Sequence, residues 1–243
     1  MELQKLLSKA RRAIDEYGMI KDGDKIAVGL SGGKDSMTLL HILAALRRFY
    51  PAKYDLVAIT VDMGLGLDEN EVAAVKKAAE DLGVPFYRET TQIGEVVFET
   101  RKEKNPCSLC ANMRRGALNG AAKKLGCNKV ALGHHADDLI ETFFLSLFYE
   151  SRLSTFSPVT HLSRQDLTVI RPMILLREKE IAGFSRQNPI IRNPCPADKH
   201  TNRQYVKDLL KAEEKNNPNL RKNVLGALLN PERNNLIEKG EKV

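Results

Sequence analysis

Apolar positions along this chain fall into two patterns, and the switches between them lay out the elements. Unbroken apolar runs mark strands buried on both faces, and apolar residues three and four apart mark helices. Leu3, Leu6, Leu7, Ala10 and Ile14 share one side of a helix over residues 3–17. A polar turn, Lys21-Asp22-Gly23-Asp24, leads into the run Ile26, Ala27, Val28 and Leu30, which predicts a strand. An apolar helix runs from there to about residue 50. Residues 54–62, YDLVAITVD, predict a second buried strand. Asp68, with Glu71 three residues on, starts a helix over 68–82. Residues 84–89 read as a third strand whose pairing Pro85 limits.

The rest of the chain reads the same way. A helical stretch over 93–102 breaks at Asn105-Pro106, and a helix over 107–125 and a strand over 129–133 follow. Residues 137–148 form a strongly apolar helix, 151–163 read as irregular, 167–170 as a strand and 178–187 as a helix. Pro189, Pro194 and Pro196 make 188–198 a rigid loop, and helices over 202–216 and 219–229 close the chain. Strands joined by helices imply parallel pairs and right-handed crossovers. The expected fold is α/β, a doubly wound parallel sheet flanked by helices, with a basic helical C-terminal extension. Its segments are an N-terminal helix (1–24), an α/β core with an inserted C-x-x-C helix (25–165) and an extension with a third cysteine (166–243).

The first strand ends in Ser31-Gly32-Gly33, and Asp35, Ser36 and Thr38 open the next helix. Glycines there allow a sharp turn and close backbone approach to a ligand. The helix N-terminus favours an anion, and a strand feeding such a turn is where open α/β sheets bind phosphate. The alternative is a glycine turn serving strand–helix packing alone. The dinucleotide motif G-x-G-x-x-G is absent, and Lys34 is followed by Asp35, which excludes G-x-x-x-x-G-K-[ST]. SGGKDS resembles the pyrophosphate loop of the PP-loop ATPases. The resemblance implies that Ser31, Gly32, Gly33, Lys34, Asp35 and Ser36 hold ATP. That family cleaves ATP between the α and β phosphates and places AMP on a substrate oxygen.

The strand KVALG runs into His134-His135-Ala136-Asp137-Asp138, with Glu141 beyond. Carboxylates fit near phosphates when Mg²⁺ lies between them. On the bland reading Asp137 caps the helix and His134 packs in a turn. LGHHADDLIETFFL is similar to the second PP-loop motif, which implies magnesium on Asp138 and Glu141, with Asp137 a weaker match. The same resemblance offers Thr60, Val61 and Met63 to the adenine and leaves room at Gly133 beside the ribose.

Charge adds a candidate partner. The 243 residues carry a net charge of +7, with a pI of about 9.2. From Arg101 to Lys129 there are eight basic residues and one acidic, Glu103. Arg101, Lys102, Lys104, Arg114, Arg115, Lys123 and Lys124 therefore offer a polyanion surface, against the alternative of a solvated lysine-rich helix face. With 28% charged and 42% hydrophobic residues the composition is that of a globular protein. No apolar run is long enough for a bilayer, and no signal-peptide core opens the chain, so a cytoplasmic location is expected.

Cys107 and Cys110 form a C-x-x-C at a helix start, with Cys127 and Cys195 elsewhere. The helix end and basic neighbours are expected to lower the thiol pKa. Cys127 precedes a core strand and reads as packing. From spacing alone a redox pair, a zinc site, an iron–sulfur cluster and simple burial all remain open. NPCSLCANMRRGAL, with RNPCPAD far downstream, resembles the tRNA 2-thiocytidine synthetases, although here Cys195 sits between prolines. That resemblance implies a 4Fe–4S cluster on Cys107, Cys110 and Cys195, and catalytic roles for these three with Lys34 and Asp35. It implies ATP-dependent thiolation of a cytidine in the tRNA anticodon loop (position 32), with AMP and pyrophosphate released. It also implies tRNA as partner, a sulfur donor such as a cysteine desulfurase, and homodimerisation, which the sequence itself does not establish. Two other functions stay open. One is sulfur transfer to another tRNA base or a small molecule; the other is a non-catalytic regulator that binds nucleotide and RNA.

Overall fold

The computed structural model describes residues 2–101, 106–185, 188–192, 194–195 and 202–233. Its contacts divide the chain into two compact units, Met1–His135 with Ser157–Lys199, and Ala136–Phe156 with His200–Val243. These cuts fall elsewhere than the expected segment ends at 24 and 165.

The first unit opens with helix α1 (Glu2–Glu16), which buries Leu6, Ala10, Ala13 and Ile14. Strand β1 (Asp24–Gly29) feeds helix α2 (Lys34–Leu46), and strand β2 (Tyr54–Asp62) feeds helix α3 (Glu69–Asp81). The Asp68 carboxylate caps α3 by accepting from the N–H groups of Asn70 and Glu71. Strand β3 (Phe86–Thr90) starts after Pro85, whose ring cannot donate to the ladder but whose carbonyl accepts from Ala58 N at 2.8 Å. The helical stretch expected over 93–102 contains a π-helical turn, Glu95–Thr100, closed by Arg101 N donating to Val96 O. Helix α4 (Pro106–Lys124) and strand β4 (Lys129–Ala131) follow.

Past the residues of helix α5 (Ala136–Tyr149), strand β5 (Val159–Leu162) corrects the expectation of irregular chain over 151–163. It pairs antiparallel with β6 (Leu167–Ile170), Val159 opposite Ile170 through Leu162 opposite Leu167. Val159, Thr160, His161 and Leu162 alternate weakly, and this short run is half exposed rather than core. Helix α6 (Glu178–Ser185) completes the described regular elements of this unit.

The sheet order is β3-β2-β1-β4-β6-β5, parallel except for the last pair. Right-handed crossovers fix which face each helix covers. From β1 to β2 to β3 the chain steps one way across the sheet. From β3 it returns past β1 to β4, which sends α4 to the opposite face. Side-chain burial agrees: Ala27, Val57, Ile59, Val130 and Val169 pack with Leu118, Ala121 and Ala122 of α4, and Cys127 lies in the same cluster. The alternate residues Ile26, Val28, Leu56 and Ala58 are buried on the other side. Strand order reverses between β1 and β4, which is where doubly wound sheets open a ligand crevice at the carboxyl ends.

The second unit packs α5 with helices α7 (Asn202–Glu213) and α8 (Leu220–Leu229) around Ile140, Val206 and Leu210. Among the described residues no helix is long and apolar enough to cross a membrane.

Candidate active site

The turn from β1 into α2 is built by its own short side chains. Gly33 N donates to Ser31 Oγ at 3.4 Å, Ser36 Oγ donates to Gly33 O at 3.0 Å, and the two serine hydroxyls lie 3.1 Å apart. Gly32 sits at φ +75°, the left-handed region that favours glycine. Gly33 enters the helix in an extended conformation and makes no side-chain cap. The helix dipole and the first-turn amides therefore face the switch point between β1 and β4.

Charges ring this turn. Lys34 Nζ lies 3.0 Å from Asp35 Oδ2 and 3.1 Å from Glu178 Oε1 at the start of α6. Half-burial pushes the Lys34 ammonium towards neutrality, but the two carboxylates outweigh it and hold its pKa above the ordinary value. His135 is buried, with Nε2 3.8 Å from Asp35 Oδ1. Gly133 runs beside the helix start. A Cβ there would stand 3.1 Å from Asp35 C and 3.2 Å from both Asp35 O and Ser36 N.

At the β2 edge the register with β1 ends at Gly29 opposite Ile59, while β3 stays in register to Asp62 opposite Thr90. Residues 60–62 thus extend past β1 at the crevice. Thr60 Oγ1 donates to Leu30 O at 2.7 Å and ties the two strand ends together. Met63 O accepts from Gly94 N at 2.7 Å, so this carbonyl already has a partner. Val61 is partly buried between the core and a small cluster of Met63, Ile93 and Val97.

Cys107 and Cys195 both lie near enough to Cys110 to act on it electrostatically. Cys110 Sγ donates to Met63 Sδ at 3.6 Å. Burial raises the Cys110 pKa, the Arg114 guanidinium lowers it, and the thiols of Cys195 and Cys107 raise it further. The net shift is upward, which corrects the expectation that helix end and basic neighbours would lower it. Desolvation beside Met63 and Leu109 wins over the nearby charge. Even so, among the described residues no three His, Cys, Asp or Glu side chains sit close enough to hold a metal ion. Three cysteine sulfurs, once deprotonated by the metal they bind, are nonetheless the soft donor chemistry of an iron–sulfur centre with one iron left open.

In the second unit the acidic run after β4 meets arginines. Asp137 is buried and pairs with Arg221 at 2.9 Å, and Arg221 also reaches Glu214 at 2.9 Å. Arg203 lies 3.6 Å from Asp138 and 3.2 Å from Glu141, and donates to Thr142 Oγ1. Burial raises the Glu141 pKa against the opposing pull of Arg203.

The expected polyanion surface is partly neutralised. Lys123 lies 3.8 Å from Asp166, and Lys124 lies 3.3 Å from Glu89. Arg114 and Arg115 are exposed on α4, and Arg115 donates to Asn112 Oδ1. Arg101 is exposed at the end of the π-helical turn, and Lys102 and Lys104 lie outside the described residues.

The PP-loop domain family matches residues 3–212. The tRNA-cytidine(32) 2-sulfurtransferase of Geobacter sulfurreducens is 40% identical over 240 residues, covering 97% of this chain and 93% of its own. The chain belongs to this PP-loop sulfurtransferase family. The Geotalea daltonii enzyme of the same name is also 40% identical, over 97% of this chain and 95% of its own. Among solved structures, the U34-tRNA thiolase NcsA from Methanococcus maripaludis, described with its [4Fe-4S] cluster, superposes with a TM-score of 0.76. It is 24% identical and covers 98% of this chain and 80% of its own, a likeness of fold.

Against the family's ATP-binding PP-loop, sequence reasoning missed Glu178, His135 and Ile191 as neighbours of the turn. His135 carried a signal, since it follows a core strand directly. Glu178 and Ile191 carried none, because each reaches the loop from well over a hundred residues away.

Proposed function

We propose that the chain thiolates cytidine 32 of tRNA. It adenylates the C2 carbonyl oxygen, which releases pyrophosphate, and sulfide then displaces AMP at C2. The observation that best supports this is that one compact unit carries both the Ser31–Ser36 turn and Cys107, Cys110 and Cys195, with the outer two near enough to act on Cys110.

The amides at the start of α2 and the Ser31 and Ser36 hydroxyls are the donors for the pyrophosphate. Lys34 stays charged and turns from Asp35 and Glu178 towards the phosphates as negative charge moves onto the leaving group. Asp35 keeps the ammonium and the buried His135 in place beside the turn. The β2 end at Thr60, Val61 and Met63 borders the adenine, and Gly133, whose missing Cβ makes room for the backbone of Asp35 and Ser36, brings the α2 start close beside the ribose. Mg²⁺, a hard cation suited to carboxylate oxygens, is assigned to Asp138 and Glu141. When bound by Cys107, Cys110 and Cys195, a 4Fe–4S cluster supplies an open iron for sulfide. Arg114 offsets negative charge beside Cys110. Arg101, Lys102, Lys104, Arg114, Arg115, Lys123 and Lys124 are the proposed tRNA contacts, of which Lys123 and Lys124 must first leave their acidic partners. A cysteine desulfurase is the proposed sulfur donor, and the working form is a cytoplasmic homodimer.

Asp35→Ala is expected to abolish tRNA-dependent exchange of labelled pyrophosphate into ATP while the anaerobically purified protein keeps its iron and labile sulfide. Cys110→Ser should lose the iron and keep the exchange. Equal loss of both properties in either variant refutes this division of labour. Persistence of 2-thiocytidine in tRNA from a strain lacking the gene refutes the function itself.

A further inference from the structure

The chain that carries Cys195 is fastened to the nucleotide turn at one residue and to α3 at the next. Ile191 N donates to Gly32 O at 2.9 Å. Ile191 is buried, and its Cβ and Cγ1 stand 2.5 Å from where a Gly32 Cβ would be, so its side chain fills the space that this glycine leaves open. Arg192 N donates to Glu71 Oε2 at 2.7 Å. The Arg192 guanidinium also pairs with Glu71 Oε1 at 3.2 Å, but it is 89% exposed and that pair contributes little. An N–H donated to a carboxylate is the stronger tie. Cys195 follows three residues after Arg192, within about 10 Å of extended chain, and its thiol acts on Cys110.

We infer that Ile191 and Glu71 are positioning residues, which set the place of Cys195 by the position of the nucleotide turn. This rests on the reading of Ser31–Ser36 as the ATP loop. A ligand that shifts or stiffens Gly32 necessarily acts on Ile191, whose amide and side chain both rest on it. Glu71 holds the next residue to α3, a fixed point about which a shift at Ile191 would turn the chain that leads to Cys195. By linkage, the order of the third cysteine and the affinity for ATP then depend on each other.

The test uses the full chain, iron-free and reduced. Alkylation rates at Cys195 and at the exposed Cys107 are followed by peptide mass spectrometry, with and without saturating ATP. Binding of ATP is measured separately by equilibrium dialysis. ATP is expected to change the Cys195 rate by about fivefold or more relative to Cys107, the lower end of usual couplings. In Ile191→Ala and Glu71→Ala that response should fall to less than about twofold, with ATP bound several-fold more weakly. Ile191→Val and Glu71→Gln, which keep the packing and the acceptor, should restore it. A merely structural role would change melting temperature without removing the ATP response. If ATP binds the wild-type chain and Cys195 is indifferent to it, the inference fails while the proposed function stands. A response that persists undiminished in both alanine variants also overturns it. If ATP does not bind at all, the reading of the loop and the inference fall together.

Discussion

Gly133→Ala probes how closely the chain leaving β4 presses on the nucleotide turn. The added methyl would stand 3.1 Å from Asp35 C, 3.2 Å from Asp35 O and 3.2 Å from Ser36 N. All three are backbone atoms in the first turn of α2, so no rotamer change relieves the contact. These contacts are tighter than ordinary van der Waals approach, so the gap must open by a few tenths of an ångström. Overpacking of this kind costs roughly 1–3 kcal/mol. Either the end of β4 yields or the start of α2 does. The chain into Gly133 is held by the ladders of β4 to β1 and β6 and by Leu132 N donating to Ile170 O, whereas the turn at Ser31–Ser36 has short side-chain bonds and the single tie from Ile191 N to Gly32 O. The turn is therefore the part that moves. A shift of about half an ångström is enough to spoil a preorganised site. The expected result is a melting temperature lowered by about 2–10 °C, with pyrophosphate exchange down by about 10–100-fold. Melting is read by circular dichroism, and exchange with saturating tRNA. An exchange rate within about twofold of wild type, with the melting temperature lowered as expected, would refute the claim that this contact sets the loop.

Three further expectations follow from the same structure. Gly120→Ala, on the exposed face of α4 with nothing within 4 Å of the new methyl, should stabilise by roughly 0.5–1 kcal/mol and leave ATP binding unchanged in dialysis. Glu180 accepts from Lys9 Nζ at 2.7 Å and from Arg177 N at 2.9 Å. Burial would raise its pKa, but these donors outweigh burial and lower it, so its stabilisation is present above the unfolded carboxylate value and lost as pH falls through the lowered one. Glu180→Gln should thus cost about 1 kcal/mol in urea titrations at neutral pH, and the gap should close below about pH 4. Arg221→Met leaves the buried Asp137 carboxylate without this partner and should destabilise by about 3–5 kcal/mol, read as a lower urea midpoint.

Local regularities made most of the fold legible. Strand β2 occupies the stretch its apolar run predicts, and Asp68 caps α3 as its spacing with Glu71 predicts. Both follow from interactions within a few residues, which a linear reading captures. The hairpin strand β5 escaped because four residues of mixed polarity carry almost no period, and only pairing with β6 makes them a strand. The direction of the Cys110 shift escaped for a related reason. Helix position and nearby arginines are written in the sequence, but the desolvation by Met63 and its neighbours arises only when residues far apart in the chain pack together.

The acidic run after β4 shows where such reading stops and what the fold adds. In the sequence Asp137, Asp138 and Glu141 are three carboxylates on one helix start, and nothing local ranks them. Partners supplied by α7 and α8 do. Asp137 meets Arg221, itself buried and also bound to Glu214, and breaking that pair would strand a charge away from water. Asp137 is therefore committed to holding its own unit together. Asp138 and Glu141 share Arg203, whose side chain is 44% exposed and whose nearest approaches are 3.2 and 3.6 Å. A half-solvated guanidinium leaves for water more readily than the buried Arg221 does, and Glu141, as buried as Asp137, then needs another cation in its place. A divalent ion of higher charge density suits that place better than a delocalised guanidinium does. The fold thus separates one acid whose arginine is buried from two whose arginine reaches water, and the proposed Mg²⁺ falls on that second pair.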